Sequence, residues 1–274
     1  LVGIVILLML PASLSANHFR YGTMSWELMD NGSIRLKMQN GWTAVHTSFS
    51  STDVGSLKIG YQRIFWGDPD NSSTTVDFKI LSRDTTSNDT ISEIGDNSSS
   101  GWIQGVIHTY ASDGDYLVYW GGYARETTAL GYNNGLNWRN ATKVNVGGTF
   151  AGNNSPVSAV PPVVQVQDNT TFRYDLIATD VDSDNVTFRW GTFNEFFQSG
   201  SGTYVKPTGM TLSQEGNITW DVRDSVLCNG CSQNDVNDAD DLWVAVIMVE
   251  DRFDNGTVKS YIPCLLYTSP SPRD

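Results

Sequence analysis

Helical periodicity, histidine, cysteine and positive charge are what this 274-residue chain has least of. Only three histidines, His18, His46 and His108, and three cysteines are present, which leaves few ligands for transition-metal or imidazole chemistry. No Gly-x-Ser-x-Gly elbow, His-Glu-x-x-His pair or phosphate-cradling glycine loop occurs. The motifs of serine hydrolases, zinc proteases and nucleotide binders are therefore missing. A glycosidase's two carboxylates are defined by separation in space, so they leave no such mark in a sequence. With 17 basic residues against 30 acidic ones the formal net charge is -13. That balance disfavours nucleic acid or an anionic membrane as a partner and suits the binding of cations. The three histidines read as structural or surface residues, and the chain as non-enzymatic.

What is present begins at the ends. Leu1 to Leu10 is almost wholly apolar and is followed by Pro11-Ala12-Ser13-Leu14-Ser15-Ala16, the h-region and small-residue cleavage region of a secretory signal peptide. It is too short to span a bilayer. Residues 1–16 read as part of such a signal, without an initiator Met or basic n-region, cleaved after Ser15 or Ala16. At the other end, Cys264-Leu265-Leu266-Tyr267-Thr268-Ser269-Pro270-Ser271-Pro272-Arg273-Asp274 resembles the translation of a transposase adapter used in sequencing libraries. That resemblance implies that residues 264–274 are not native and that the protein continues past Pro263.

The remaining cysteines, Cys228 and Cys231, stand in the order Cys-Asn-Gly-Cys. In an oxidising compartment a short-loop disulfide is the default; a zinc half-site or redox motif needs partner ligands or a βαβ context that the sequence does not display. Sequons of the type Asn-x-Ser/Thr occur at Asn31, Asn71, Asn88, Asn97, Asn140, Asn153, Asn169, Asn185, Asn217 and Asn255. Behind a signal peptide they point to a glycosylated extracellular surface, and they mark turns.

Apolar residues recur with period two. Ile34, Leu36 and Met38 alternate with polar neighbours, as do Val76, Phe78 and Ile80, and Tyr116, Val118 and Trp120 share a face. Turn clusters such as Asp30-Asn31-Gly32-Ser33 and Ser112-Asp113-Gly114-Asp115 separate them. The pattern predicts an all-β chain of two antiparallel β-sandwich domains, over residues 17–150 and 163–263, joined by a stiff linker at 151–162 that is rich in Gly, Asn and Pro. In the second, Phe172, Tyr174, Leu176 and Ala178 share a face, Gly209 to Trp220 reads as a hairpin, and Leu242 to Val249 is apolar on both faces, as a central strand is.

Several stretches resemble known families. Asn17-His18-Phe19-Arg20-Tyr21-Gly22-Thr23-Met24-Ser25-Trp26 resembles the His-Phe-Arg-Gly-Gly-Thr-x-Ser-Trp opening of a group of uncharacterised secreted proteins, with Tyr21 in place of Gly. His108 to Val118 resembles the late hairpin of polycystic-kidney-disease-type Ig-like domains. Asp180-Val181-Asp182-Ser183-Asp184 before a strand, Gly209-Met210-Thr211-Leu212 with Gly216-Asn217-Ile218-Thr219-Trp220, and Val249-Glu250-Asp251 together resemble cadherin-like, dystroglycan-type and putative Ig domains of cell-surface proteins. In this resemblance Ser183 replaces the usual Gly, and Cys228 to Asp241 is a longer insertion than usual. It implies an Ig-like second domain with a structural or adhesive role.

The acidic loop is the sharpest chemical feature. Calcium takes six to eight oxygen ligands, which suits carboxylates better than it suits a transition-metal set. Asp180, Asp182 and Asp184 supply part of such a shell. In an Ig-type sandwich the loop following the second strand and the last strand-to-strand loop share a pole, so Glu250, Asp251 and Asp254 are the expected second half, near the linker. The bland alternative is a set of solvated turn acids. The run Asn234 to Asp241 lacks the Gly and distal Glu of an EF-hand and reads as a solvated loop. Trp26, Trp42, Trp66, Trp102, Trp120 and Trp138 all lie in the first half, either as core or as a surface that stacks on glycan rings. The expectation is a secreted or surface-anchored structural and adhesive module whose partners are extracellular proteins or glycans and whose cofactor is Ca2+. The alternative is a carbohydrate-binding module attached to an enzyme encoded downstream.

Overall fold

A computed structural model describes residues 19–271, apart from 45, 47, 50–51, 85–88, 99, 123–128, 131–136, 160–162, 168–169, 198–203, 205 and 223–241. The period-two segments fold as strands. In the first half these are β1 (Phe19–Leu28), β2 (Ile34–Thr43), β3 (Leu57–Phe65), β4 (Ser73–Asp84), β5 (Asp89–Ser98), β6 (Gly101–Gln104), β7 (Val106–His108), β8 (Gly114–Gly122), β9 (Ala129–Leu130) and β10 (Trp138–Val146). The second half adds β11 (Val157–Ser158), β12 (Val163–Gln167), β13 (Thr171–Asp175), β14 (Ala178–Thr179), β15 (Asn185–Trp190), β16 (Met210–Leu212), β17 (Asn217–Asp221), β18 (Leu242–Arg252) and β19 (Val258–Ser271). Helix among the described residues is limited to a 3-10 turn at Gly148–Phe150 and α1 (Phe193–Phe196). The chain is all-β with large antiparallel sheets.

Hydrogen bonding runs β1-β2-β5-β4-β3-β8-β10-β19-β18-β15, and β1 also meets β19 at Thr23 and Cys264, so the path from β1 to β19 closes on itself. Two parallel pairings, β12 with β19 and β9 with β18, join this sheet at its periphery. The hairpin expected between Gly209 and Trp220 is β16–β17, and β13 extends it to three strands. Beyond Pro263, β19 keeps pairing with β18 through Thr268 and with β12 through Ser271. Tyr267 and Thr268 in this segment are residue types that favour strands.

Two apolar clusters lie on opposite faces of β18. Val244, Val246 and Met248 point into a core built mainly from the first half, with Phe19, Trp26, Trp66, Phe78 and Trp120. Ala245, Ile247 and Val249 point into a second core with Leu176, Phe188, Met210, Ile218 and Trp220. Strict alternation along a strand puts neighbours on opposite faces, so a strand apolar at every position serves as a wall shared by two cores. The segment that follows β10 is docked as well: Trp26 N–H donates to Ser155 Oγ at 2.8 Å, and Leu28 N–H donates to Asn154 Oδ1 at 2.8 Å.

The first core is aromatic. Phe19 stacks on Trp138 with ring centroids 3.6 Å apart, and Trp120 meets Trp138 edge-on at 4.3 Å. Trp26, Trp42, Trp66, Trp120 and Trp138 are at most 3% exposed, while Trp102 is half-buried with its Nε1–H donating to Glu93 Oε1 at 2.8 Å. This corrects the glycan-stacking alternative. Rings consumed by edge and stacked contacts inside a sandwich offer no face to a sugar.

Candidate metal centre

The acidic loop leaves β14 at Thr179 and enters β15 at Asn185. Because β15 pairs antiparallel with β18, Asn185 opposite Arg252 and Val186 opposite Asp251, the loop is delivered to the end of β18. Carboxylate oxygens of Asp180, Asp184 and Asp251 there lie within 4.8 Å of one another. Local chemistry shapes the loop: Asp180 Oδ1 accepts the N–H of Asp182 at 2.8 Å and of Asp184 at 3.3 Å. Ser183, at φ 65, takes the left-handed turn for which the usual residue is Gly.

Asp251 is fully buried. Its Oδ1 accepts from Ser260 N–H at 2.8 Å and from Ser260 Oγ at 2.5 Å, and its Oδ2 accepts from Asn153 Nδ2 at 3.0 Å. Asp184 is met by the ammonium of Lys259, which donates to both carboxylate oxygens and lies 4.7 Å from the Phe253 ring centroid. Asp180 Oδ2, by contrast, is buried and has no hydrogen-bond donor. Burial pushes the Asp180 carboxyl above its ordinary value, the negative charges of Asp251 and Asp182 add to the rise, and the two backbone N–H bonds only partly oppose it. Burial likewise raises Asp251, against the bonds from Ser260 and Asn153.

Three of the expected ligands stand elsewhere. Asp182 turns to the preceding segment, where it accepts Asn154 N–H at 2.6 Å and Asn154 Nδ2 at 2.9 Å. Glu250 points to the opposite face of β18 from Asp251, as adjacent strand residues must, and ion-pairs with Arg189 and Arg252. Arg189 continues to Glu195 Oε1 at 2.7 Å, so Glu250 belongs to a buried ionic network rather than to the cluster. Asp254 is exposed in the turn between β18 and β19. The spacing in sequence did not single out Lys259 or Ser260, and marked Asn153 only as a sequon, since only the β18–β19 register, Asp251 opposite Ser260, brings the first two alongside.

The residues that do converge fit a hard divalent cation on two counts. Their donors are all oxygens, and Asp180 carries a buried carboxylate oxygen that no protein donor satisfies. Lys259 supplies a single positive charge against three carboxylates.

Of the other singled-out residues, Cys228, Cys231, Asn88, Asn169 and the run 234–241 lie outside the described residues. Asn31, Asn71, Asn97, Asn185, Asn217 and Asn255 are exposed. Asn140 and Asn153 are 0% and 4% exposed, which corrects the reading of all ten sequons as surface turns. Asn140 packs under Gly22 with its buried Oδ1 and Nδ2 making no hydrogen bond, and Asn153 Nδ2 holds Asp251.

Fold and site thus define an all-β chain with an oxygen-ligand cluster at the end of its shared strand. Residues 20–147 match the family model described as Integrin beta-like protein A-E, N-terminal. The match falls on the half for which the sequence offered only an opening motif and a hairpin. Integrin beta-like protein C of Dictyostelium discoideum is 28% identical over 216 residues, covering 74% of this chain, and Integrin beta-like protein B of the same organism is 28% identical over 218 residues, covering 75%. The chain spans 10% of the length of each of these curated relatives. Among solved structures, the two tandem V-type regions of VCBP3, a v-region-containing chitin binding protein, align over 88% of this chain and 93% of that one at 14% identity and a TM-score of 0.35. No helix among the described residues is long and apolar enough to cross a membrane.

Proposed function

We propose that this chain is a non-enzymatic, adhesion-type extracellular module of a larger protein, and that Asp180, Asp184 and Asp251 hold a calcium ion beside the segment joining its two halves. The likeness to integrin beta-like proteins supports the adhesive reading. The observation that carries the calcium reading is that Asp180, one of three carboxylates with oxygens within 4.8 Å of one another, has a buried, unsatisfied Oδ2. Asn153 bonds Asp251 and Asn154 bonds Asp182, so a cation in the cluster would tie the joining segment to both the loop and β18. Its role is to hold geometry at that junction, with partners drawn from extracellular proteins or glycans.

The raised carboxyls give the sign of the pH dependence. A carboxyl whose folded value lies above its unfolded one costs stability increasingly as pH rises through that interval, and the full cost stands above it. A divalent cation offsets that cost, so its benefit is greatest at neutral pH and disappears in acid. Melting of the chelator-treated protein with and without calcium tests this, together with titration calorimetry. Calcium at a hundredfold excess over its dissociation constant should stabilise by about 2.7 kcal/mol at neutral pH. Asp180→Asn should lose that gain while folding normally. No heat and no shift in the unsubstituted protein would remove the calcium reading.

A further inference from the structure

The sequons sort by position in the fold. Every pairing from β1 through β5, β4, β3, β8 and β10 to β19, β18 and β15 is antiparallel, so the strand ends align into two poles. Asn31 lies in the turn closed by Leu28 and Ile34, Asn71 in the turn closed by Phe65 and Ser73, and Asn97 beside the turn closed by Ser98 and Gly101. Asn185 begins β15 opposite Arg252, and Asn255 lies in the turn closed by Arg252 and Val258. Following the register, all five fall at the same pole. Asn217 lies on the separate three-stranded sheet, opposite Asp175 at the end of β13 that leads toward β14.

The two groups differ in burial rather than in whether Nδ2 is bonded, since exposed Asn217 Nδ2 also donates, to Ser213 Oγ at 3.3 Å. In Asn31 and Asn255 the Oδ1 accepts the N–H of the residue two positions on, Ser33 at 3.1 Å and Thr257 at 2.9 Å, which leaves Nδ2 pointing away from the backbone. Asn153 Nδ2 is committed to Asn145 Oδ1 at 3.2 Å and Asp251 Oδ2 at 3.0 Å. Asn140 is wholly buried, and its Nδ2 comes within 2.1 Å of where a Cβ on Gly22 would stand. No sugar fits between that nitrogen and the neighbouring strand.

We propose that Asn31, Asn71, Asn97, Asn185, Asn217 and Asn255 are N-glycosylated, with the glycans of all but Asn217 set by the register on one pole, while Asn140 and Asn153 are buried amides that stay unmodified. The transfer joins Asn Nδ2 to C1 of an oligosaccharide carried on a polyprenyl diphosphate: the N–C bond forms, the C1–oxygen bond to phosphate breaks, the lipid diphosphate leaves and Nδ2 gives up a proton. All eight described positions satisfy Asn-x-Ser/Thr, with Ser or Thr at the third place and Pro156 directly after the Asn153 sequon, and burial in the fold separates the two groups. Transfer onto Asn140 or Asn153 before folding would block the core or strip Asp251 of a donor, and such chains would not mature. The glycosylated pole is also the pole of the acidic cluster, since Asn185 directly follows Asp184. Contacts with other proteins then fall on the sheet faces and away from that pole.

The assignment rests on the extracellular reading only in that the chain must meet the transferase. The full chain is therefore secreted from a eukaryotic host behind a host leader, purified as folded protein, and deglycosylated with an amidase in heavy-oxygen water. Peptide mass spectrometry then reads each sequon. Heavy-oxygen aspartate at the six exposed positions with unmodified Asn140 and Asn153 is expected. A glycan on Asn140 or Asn153 in the folded protein, or any of the six found wholly bare, overturns it. Because the leader supplies the route, this outcome is independent of where the native chain resides, which immunolocalisation of the native protein tests separately.

Discussion

Ser183 shows how much one residue in the acidic loop costs. It sits at φ 65, exposed, between two aspartates whose orientation depends on the turn. A non-glycine residue there carries about 1 kcal/mol of strain, part of which Gly would return as greater freedom in the unfolded chain. Ser183→Gly should therefore raise stability by about 0.5 kcal/mol in a urea titration, without moving Asp180 or Asp184. A loss of stability would mean that the hydroxyl holds the loop in a way the geometry does not display. The turn was legible from the sequence as a departure from the Asp-x-Asp-Gly-Asp pattern, whereas the conformation that makes the departure costly was not. The same limit applies to Asn140 and Asn153, where a three-residue pattern carries no information about burial.

At the scale of the element, the strand explains which acids converge. Glu250 and Asp251 are consecutive, so only one can face the loop, and the usual guide to which is the apolar face of the strand. Along β18 that guide fails, because Val244, Val246 and Met248 on one face and Ala245, Ile247 and Val249 on the other are all apolar and buried. The same both-faced pattern that identified β18 as central hid the direction of its acids. Pairing register adds what sequence cannot: Asp251 opposite Ser260 puts Lys259 one residue away and on Asp184. The Lys259 ammonium is then a resident positive charge that a divalent cation must work against. Lys259→Gln should tighten calcium binding by about tenfold or more in titration calorimetry at low ionic strength. Unchanged affinity would show that the lysine swings clear of the cluster at no cost, and weaker binding would show that Lys259 orders Asp184 for the ion.

For the whole molecule, the question is whether the two halves stand alone. Composition and the linker pattern point to separate domains over 17–150 and 163–263, and the family-model match over 20–147 stops close to the same boundary. Packing points to dependence. The core that holds Phe19, Trp26 and Trp120 also holds Val244, Val246, Met248, Phe196 and Phe197, all contributed by the second half. Cutting the chain after residue 150 would leave these contacts open to water, together with the edges of β10 and β1 that pair with β19. Losing several buried aliphatic and aromatic partners at once costs on the order of 2–4 kcal/mol for each large side chain, comparable in sum to the whole stability of a domain this size. The expected outcome is that a fragment of residues 17–150 binds a hydrophobic dye and melts without a sharp transition. The whole chain should unfold in one calorimetric step, with Val246→Ala and Ile247→Ala lowering that single transition from opposite faces of β18. Two separable transitions, each sensitive to only one of those substitutions, would mean that β18 borders both cores without coupling them.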